Sequence, residues 1–199
     1  DYSDLPQKIY DWEHSVYSGA EEILPHDAPK ILGKPVVMTT YVDANLYHDL
    51  INGRSVTGVL HLFNKTVVDW YSKKQATVET ATYSSEFVAA RQATEQIIDL
   101  RYTLRSMGVP IESFTWMLGD NKSVVTSSTI SHSMLSKRHQ AVAYHKVRSA
   151  IAGGYIKFCH IDGNQNPADI FTKCLPSPVF YPFVSSLLFI KGETAKNKV

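Results

Sequence analysis

A change of hydrophobic period near residue 82 constrains the fold of this chain more than any other feature. Before it, β-branched and aromatic residues form three short runs separated by turn residues, which predicts three β-strands. After it, apolar residues recur at every third or fourth position, which predicts one long amphipathic helix. The predicted strands are Val36–Ala44, Val56–Phe63 and Thr66–Lys73, and the predicted helix is Tyr83–Met107.

Turn and cap residues set the limits of these elements. Asn52-Gly53 marks a turn between the first two strands, and the short connection Asn64-Lys65 joins the second and third as a hairpin. We therefore expect three consecutive antiparallel strands. At the start of the long helix, the hydroxyl of Thr82 or Ser84 can serve as the N-cap.

Beyond this helix, strands and helices alternate along the chain. The predicted segments are a strand at Phe114–Gly119, a brief helix from Asn121, a helix at Lys137–Ala152, a strand at Tyr155–Ile161 and a helix at Pro167–Lys173. A strand that joins a parallel neighbour needs a crossover connection, usually a helix. The sequence therefore predicts an α/β domain with a mixed five-stranded sheet, an antiparallel meander plus parallel strands, flanked by helices.

The charge balance limits how this chain could bind nucleic acid. Lys+Arg number 20 and Asp+Glu 19, a formal net charge of +1 among 199 residues. Proteins that bind nucleic acid mainly through their charge need a marked cationic excess, so that class is disfavoured, although a local basic groove is not. Only two cysteines are present, which excludes a disulfide scaffold and indicates a reducing compartment.

Both ends of the chain differ from its middle. Residues 1–35 have little periodicity and scattered prolines, which predicts an arm or linker with a short helix at Gln7–Ser18. The longest apolar stretch, Val179–Ile190, is shorter than the roughly 20 residues of a membrane span. We expect a packed tail there, with a docking surface as the alternative. The predicted organisation is an arm at 1–35, a domain at 36–175 and a tail at 176–199, cut from something longer.

Four acidic residues occupy positions that folding alone does not explain. Asp43 lies in a strand, where Asp is depleted, and a strand end facing solvent is the alternative interpretation. Asp120 follows a buried strand, at the end where α/β sheets bind ligands. Glu86 and Asp169 lie in the first turns of helices, where a partner for the helix dipole is the alternative.

Together these residues suggest a metal site. If the strands that carry Asp43 and Asp120 pair in parallel, both carboxylates point to one place, and the two helix starts can close over it. Carboxylates that share a site stay ionised only when cations neutralise them. Oxygen ligands favour Mg²⁺ or Mn²⁺, and two such ions about 3.5–4 Å apart form the clamp used in phosphoryl displacement. Any chain with 19 acidic residues can supply four in order, so this prediction needs sequence context.

That context is a set of seven strings in one fixed order. They are VDAN (42–45), GRSVTG (53–58), DWYSKKQATVE (69–79), SSEFVAA (84–90), GDNKSVV (119–125), KRHQAVAYHKVR (137–148) and NPADIFTKCL (166–175). As a set they resemble the ribonuclease H domain of copia-type LTR retrotransposon polyproteins, over about Val36 to Leu175. Ser84, where that family usually has an acidic residue, and the atypical segment Asn45–Ile51 depart from the pattern.

The resemblance implies a ribonuclease H-like fold and a two-metal nuclease that cuts the RNA strand of RNA–DNA hybrids during reverse transcription. The family's acidic quartet corresponds to Asp43, Glu86, Asp120 and Asp169, as catalytic residues and as ligands of two Mg²⁺ ions, for which Mn²⁺ can substitute. The implied partners are the hybrid and the reverse transcriptase domain of the same polyprotein, with no membrane involved. The implied location is intracellular, in cytoplasmic virus-like particles and in the nucleus.

Residues around the quartet are candidates for binding the substrate. Within the family-like strings these are Lys73, Lys74, Asn121, Arg138 and His139. Contacts to phosphate position a duplex without reading its sequence, so we expect weak sequence preference and strong salt dependence. His139, and after it His160, are candidates to assist product release, as a histidine does in some ribonucleases H. A surface or helix-capping histidine is the alternative for each.

Two other functions stay open from the sequence. The chain could be a catalytically weak or inactive hybrid-binding or structural domain derived from a retroelement, which the intact quartet disfavours. A DNA transposase or integrase shares the fold and the metals, but the strings KKQ and ADIFTK disfavour it.

Overall fold

The computed structural model describes Tyr17 and residues 19–130, 133–135 and 138–188. Its strands are β1 (Met38–Asp49), β2 (Arg54–Phe63), β3 (Thr66–Lys74), β4 (Thr115–Gly119) and β5 (Ile156–His160). They form one sheet in the order β3-β2-β1-β4-β5, in which β1, β2 and β3 are antiparallel and β4 runs parallel to β1 and β5. The predicted mixed five-stranded sheet is confirmed. The helix predicted at 7–18 lies, apart from Tyr17, outside the described residues.

The two turns of the meander are stabilised differently. Asn64 and Lys65 have φ angles of 49° and 69°, which suit the two-residue hairpin between β2 and β3. Gly53 has a φ of 65° in the turn between β1 and β2. The carboxylate of Asp49 accepts a hydrogen bond from the N–H of Ile51 in that turn. Both predicted turns are confirmed, and β1 is longer than predicted because it continues to Asp49.

The long helix, α1 (Thr82–Ser106), packs on β1 and β2. Its N-cap is Ala81, which offers no side-chain hydrogen bond, so the predicted cap at Thr82 or Ser84 is wrong. The helix begins before Ser84, and both Ser84 and Ser85 are completely buried within its first turn. The hydroxyl of Ser85 donates to the carbonyl of Thr82. The first turn therefore has no side-chain cap from Ala81, although two of its serines are buried.

Helices connect β4 to β5 and complete the core. They are α2 (Lys122–Thr129), a 3₁₀ helix at Arg138–Gln140 and α3 (Ala141–Ala152), which packs against α1. Phe87 on α1, Met117 on β4 and Phe158 on β5 are buried in one common cluster with α3 residues. The helix predicted from Lys137 is confirmed from Arg138 onward, with a tighter first turn.

The chain after β5 differs from its prediction in two ways. In place of the helix predicted at Pro167–Lys173, a 3₁₀ helix spans Pro167–Phe171 and ends because Thr172 leaves the helical conformation, with φ of −120°. An unpredicted helix, α4 (Ser177–Leu187), follows, and none of its residues is buried. The described part of the tail is therefore only partly packed: Phe183, Val184 and Leu187 are half-buried, and the rest of α4 is exposed. None of the helices in the described residues is both long and apolar enough to cross a membrane.

The described part of the predicted arm contacts the domain through a buried ion pair. The carboxylate of Glu22 accepts hydrogen bonds from the guanidinium groups of Arg101 and Arg105 on α1. The side chain of Arg101 is completely buried and that of Glu22 is 5% exposed. Further along, the N–H of Leu32 donates to the carbonyl of Gly108 at 2.7 Å. This segment therefore lies against the C-terminal end of α1 rather than apart from it.

Candidate active site

Asp43 lies in the middle of β1 and is almost completely buried, with 1% exposure. β1 continues beyond it to Asp49, so the alternative interpretation of Asp43 as a strand end facing solvent is wrong. Two side chains bind its carboxylate. The hydroxyl of Thr172 donates to Oδ2, and Nζ of Lys173 lies 3.4 Å from Oδ1. A buried carboxylate needs such partners, because desolvation otherwise disfavours its charge.

Parallel pairing of β1 and β4 brings Asp120 next to Asp43. Val42 of β1 is paired with Gly119, the last residue of β4. The next residues along the chain, Asp43 within β1 and Asp120 directly after β4, are therefore neighbours. This is the arrangement on which the predicted site depended.

Asn166 anchors the segment that carries Asp169. Its amide Nδ2 donates to the carbonyl of Val42 at 3.0 Å, and its Oδ1 accepts from the N–H of Ala168 at 3.2 Å. The first bond fixes the segment to β1, and the second caps the 3₁₀ helix that contains Asp169. Asn166 is completely buried, so both bonds are protected from water.

A glycine on β2 allows this segment to approach the sheet. Gly58 is the residue opposite Asp43 in the antiparallel pair. A Cβ atom at this position would lie 2.6 Å from Cγ2 of Thr172 and 2.8 Å from the carbonyl oxygen of Ala168. Only glycine therefore permits the observed contact between β2 and the 3₁₀ helix.

Three carboxylates meet where these elements join. One oxygen atom from each of Asp43, Asp120 and Asp169 lies within 4.8 Å of the others. Asp43 is buried and the other two are partly buried, so the cluster can be reached from solvent on the side of Asp120 and Asp169. A cluster of oxygen ligands at this spacing suits a divalent cation such as Mg²⁺ or Mn²⁺.

Glu86 lies beside this triad, near the start of α1, and is 7% exposed. The N–H of Ala44 donates a hydrogen bond to its carboxylate. Burial, followed by the charges of Asp43 and Asp120, raises the pKa of Glu86 well above its ordinary value. A helix-dipole partner would face solvent, so that alternative does not account for Glu86. The structure thus brings all four predicted acidic residues together.

Two of the aspartates, Asp120 and Asp169, also resist ionisation. Burial raises the pKa of Asp169 to about 6, against the opposing hydrogen bond from Lys173, and the charge of Asp43 raises it further. Burial and the charge of Asp43 raise the pKa of Asp120. Because positive charge relieves this repulsion, the cluster attracts cations.

Thr172 and Lys173 contact the quartet but were not predicted from the sequence. Nζ of Lys173 lies 2.8 Å from Oδ1 of Asp169 in addition to its contact with Asp43. A signal was present, since Lys173 follows Asp169 by four positions, the spacing at which side chains on a helix meet. Within the string NPADIFTKCL, only Asp169 was predicted to belong to the site.

The predicted substrate-binding residues lie in different surroundings. Lys73 is exposed at the end of β3. Nζ of the neighbouring Lys74 lies 2.8 Å from Oδ2 of Asp49, so this lysine is paired within the domain. Asn121 is the N-cap of α2, where its Oδ1 accepts from the N–H of Val124 at 3.2 Å.

The basic and histidine candidates are placed as follows. Arg138 is exposed in the 3₁₀ helix before α3. His139 follows it, and its side chain lies outside the described part of the structure. Nε2 of His160, the last residue of β5, lies 3.0 Å from the main-chain oxygen of Asp120. His160 thus contacts the main chain of Asp120, one residue of the acidic cluster.

Curated relatives of this chain are polyproteins of transposons, although no protein-family profile matches it. The Pol polyprotein of transposon TNT 1-94 from Nicotiana tabacum is 30% identical over 148 residues, which cover 74% of this chain and 11% of the polyprotein. That of transposon RE1 from Arabidopsis thaliana is 22% identical over 157 residues, covering 78% and 11%. The Gag-Pol polyprotein of transposon Ty1-JR2 from Saccharomyces cerevisiae is 27% identical over 130 residues, covering 64% and 7%. The chain therefore spans only 7–11% of the length of these relatives.

Solved structures with similar topology include two of the RNase H1 type. RNase H1 from the archaeon Halobacterium salinarum has a TM-score of 0.52 at 14% identity, covering 68% of this chain and 93% of that one. LC11-RNase H1, isolated from compost and solved in complex with an RNA/DNA hybrid, has a TM-score of 0.51 at 15% identity, covering 68% and 93%. At these identities the similarity establishes a shared fold.

Proposed function

This chain is a ribonuclease H-fold domain of a retrotransposon Pol polyprotein, and from that premise we propose that it is a Mg²⁺-dependent nuclease that hydrolyses the RNA strand of RNA–DNA hybrids. One observation carries the proposal. The oxygens of Asp43, Asp120 and Asp169 lie within 4.8 Å of one another, and the buried Glu86 lies beside them. A fold built only for stability gains nothing from such a cluster, because each buried carboxylate costs desolvation free energy.

The proposed ligands of two divalent ions are Asp43, Glu86, Asp120 and Asp169. All are carboxylates, the ligand type that Mg²⁺ and Mn²⁺ prefer. Burial together with neighbouring charge raises the pKa of three of them, so that positive charge favours the assembled cluster. When bound, two such ions supply electrophilic stabilisation of the attacking and leaving oxygens of a phosphodiester.

The residues around the quartet hold it in the required arrangement. The hydroxyl of Thr172 fixes Oδ2 of Asp43, and Oδ1 contacts Nζ of Lys173. The N–H of Ala44 orients Glu86. Asn166 ties the segment that carries Asp169 to β1. Preorganised ligands of this kind need little rearrangement to bind a cation, which is how a rigid site favours the reaction.

We propose that the hybrid contacts the surface around this cluster. Its phosphates meet residues of β3, the start of α2 and the 3₁₀ helix before α3, namely Lys73, Lys74, Asn121, Arg138 and His139. The exposure of Lys73 and Arg138 supports this assignment, whereas Lys74 has to share its charge with Asp49. With a net charge of only +1, the isolated chain should bind a hybrid weakly and with strong salt dependence.

The proposed functional unit is residues 36–175, with an arm at 1–35 and a tail at 176–199. The partner proposed for it is the reverse transcriptase domain of the same polyprotein, and the proposed location is the cytoplasmic virus-like particle and the nucleus. Exposed apolar residues of α4, such as Val179 and Tyr181, at 42% and 64% exposure, support a protein contact at the tail.

Cleavage of an RNA–DNA hybrid by wild type and by Asp120→Asn tests the proposal. The variant keeps the shape of the side chain but removes its charge. We expect Mg²⁺-dependent cleavage of the RNA strand by wild type, abolished by EDTA, and a loss of about 100-fold or more in the variant. Asp99→Asn is the matched control, because Asp99 is exposed on α1 and its replacement makes the same charge change.

Two outcomes contradict the proposal. One is equal cleavage by wild type and Asp120→Asn. The other is no cleavage by either at protein and hybrid concentrations high enough for binding. In the second case, a protein whose melting temperature also fails to rise with Mg²⁺ or Mn²⁺ would be the non-catalytic structural domain instead, since a ligand that binds the folded state stabilises it.

A further inference from the structure

The side chain of Lys173 reaches into the acidic cluster from the same segment as Asp169. Its Nζ lies 2.8 Å from Oδ1 of Asp169 and 3.4 Å from Oδ1 of Asp43. The first distance is that of a charge-assisted hydrogen bond. The ammonium group thus bridges two carboxylates that belong to different elements, β1 and the 3₁₀ helix.

The charge of Lys173 acts on the whole quartet. Burial lowers the pKa of Lys173, but the charges of the three aspartates outweigh it, so the pKa is raised above its ordinary value. The same ammonium opposes the rise in the pKa of Glu86 and of Asp120. Lys173 therefore offsets part of the repulsion among all four acidic residues.

Lys173 binds one oxygen of Asp43 and one of Asp169, the two carboxylates that a shared cation would also bind. We infer that a cation uses Oδ1 of Asp43, because Oδ2 already accepts the hydroxyl of Thr172. Mg²⁺ binds carboxylate oxygen at about 2.0–2.1 Å, closer than an ammonium can approach. Two like charges competing for the same oxygens at such short range repel strongly, so the ammonium and the ion exclude each other there.

Lys173 also has a route out of the cluster. Its side chain is 35% exposed, whereas that of Asp43 is 1% exposed. A lysine has a flexible four-carbon stem, so its ammonium can swing to solvent without movement of the backbone. The buried carboxylates have no such freedom.

We propose that Lys173 is a positioning residue that acts as an internal counter-ion: it holds Asp43 and Asp169 together before a metal ion binds and yields their oxygens to the ion when it does. The inference rests on the proposed metal site, but it concerns the assembly of that site rather than the hydrolysis. Its consequence is antagonism, in which Lys173 stabilises the metal-free protein and weakens the binding of Mg²⁺.

Lys173→Met separates these two effects, because methionine keeps much of the stem and removes the charge. Melting temperature in EDTA and Mg²⁺ affinity by titration calorimetry are measured at about pH 8, above the pKa of Asp169 of about 6. We expect the melting temperature of the metal-free variant to fall by about 2–4 °C. We expect its Mg²⁺ affinity to rise about fivefold or more.

Lys146→Met is the matched control, because Lys146 is exposed on α3 and its loss changes the net charge equally. Both quantities should stay at the wild-type value in this control. Lys173→Arg keeps a permanent charge at the site, so it should melt near wild type and bind Mg²⁺ no more tightly. This second variant tests the inference even if Lys173→Met does not fold.

The outcomes distinguish this inference from the proposed function. Mg²⁺ affinity that is unchanged or weaker in Lys173→Met, or tighter in Lys173→Arg, overturns the counter-ion role, because a merely structural lysine would weaken the site when removed. If wild type binds neither Mg²⁺ nor Mn²⁺, the proposed function fails, and the proposed competition between Lys173 and the metal ion fails with it. Binding by wild type without a gain in Lys173→Met overturns the present inference alone.

Discussion

Replacement of Glu22 by glutamine tests whether the described part of the arm belongs to the folded domain. Glu22 is the counter-ion of two arginines on α1, and its side chain is 5% exposed. Arg101 is completely buried, so it has no water to replace the lost carboxylate. Glu22→Gln keeps the size of the side chain and one acceptor oxygen, but leaves the buried guanidinium charge without its partner.

The magnitude follows from what Arg101 keeps. Removal of one partner from a buried ion pair costs about 3–5 kcal/mol, since the remaining charge is uncompensated. Arg101 still donates to Oγ1 of Thr115 at 2.9 Å and to the carbonyl of Ser113 at 2.8 Å. These bonds place the loss at the lower end, about 3 kcal/mol, which for a domain of this size lowers the melting temperature by about 6–12 °C.

Urea and thermal unfolding followed by circular dichroism measure this loss. The matched control is Glu21→Gln, since Glu21 is the adjacent, exposed residue of the same type. It should change the free energy of unfolding by less than about 0.5 kcal/mol. If Glu22→Gln is as stable as Glu21→Gln, the buried pair does not hold this segment on the domain, and the reasoning is refuted.

Two further predictions concern the site itself. Gly58→Ala places a Cβ 2.6 Å from Cγ2 of Thr172 and 2.8 Å from the carbonyl oxygen of Ala168. It should therefore lower the free energy of unfolding in urea by about 1–3 kcal/mol and reduce hybrid cleavage. The control Gly19→Ala, whose Cβ would meet nothing within 4 Å, should change neither quantity. The pKa of Asp169 is raised from 3.8 to about 6, so the folded state holds this proton more tightly than the unfolded state. In EDTA the free energy of unfolding should therefore fall as the pH rises from about 4 to about 6, and it should fall less steeply in Asp169→Asn. Mg²⁺-dependent cleavage should increase over the same pH range. A free energy of unfolding that rises there in EDTA, with the same slope in both proteins, contradicts this prediction.

Local patterns were sufficient for the sheet and the long helix. Alternating and β-branched runs predicted the meander, and the Asn64-Lys65 hairpin has the positive φ angles that such a connection requires. The crossover rule predicted parallel strands after the meander, but the pairing of β4 with β1 was only a condition of the predicted site, and its register, Val42 with Gly119, comes from the structure. Hydrophobic periodicity shows which face of a single strand or helix is buried. In the sheet and in α1 this pattern is regular enough to predict the element.

Features that depend on contacts distant in sequence could not be predicted in this way. α1 begins at Thr82 without a side-chain cap from Ala81, and the burial of Ser84 and Ser85 in its first turn is set by the rest of the fold. Glu22 and Arg101 are far apart in the sequence, so no local pattern predicts their ion pair. The helix α4 contains Pro182, a residue that argues against a helix when read locally.

The residues of the candidate site also fall into those that the sequence predicts and those that it does not. Its acidic residues could be selected because Asp in a strand and Asp after a buried strand are costly without a purpose. Their partners could not, since Thr172 and Lys173 are ordinary residues at the end of a short helix. Tertiary structure decides which positively charged group contacts a carboxylate. In this site that group is the ammonium of Lys173.

Charge, rather than packing, limits the stability of this site. The register of β1 and β4 fixes Asp43 and Asp120, whereas Asp169 lies in a short 3₁₀ helix that side-chain hydrogen bonds, such as those of Asn166 and Ser72, tie to the sheet. Such a short helix has few hydrogen bonds of its own, so repulsion between carboxylates displaces it before it displaces the sheet. Lys173 follows on that same segment and binds back to Asp43. The positive charge that offsets the repulsion is therefore carried by the element that the repulsion would move, which is the arrangement expected of a site that must stay assembled until a metal ion replaces the lysine.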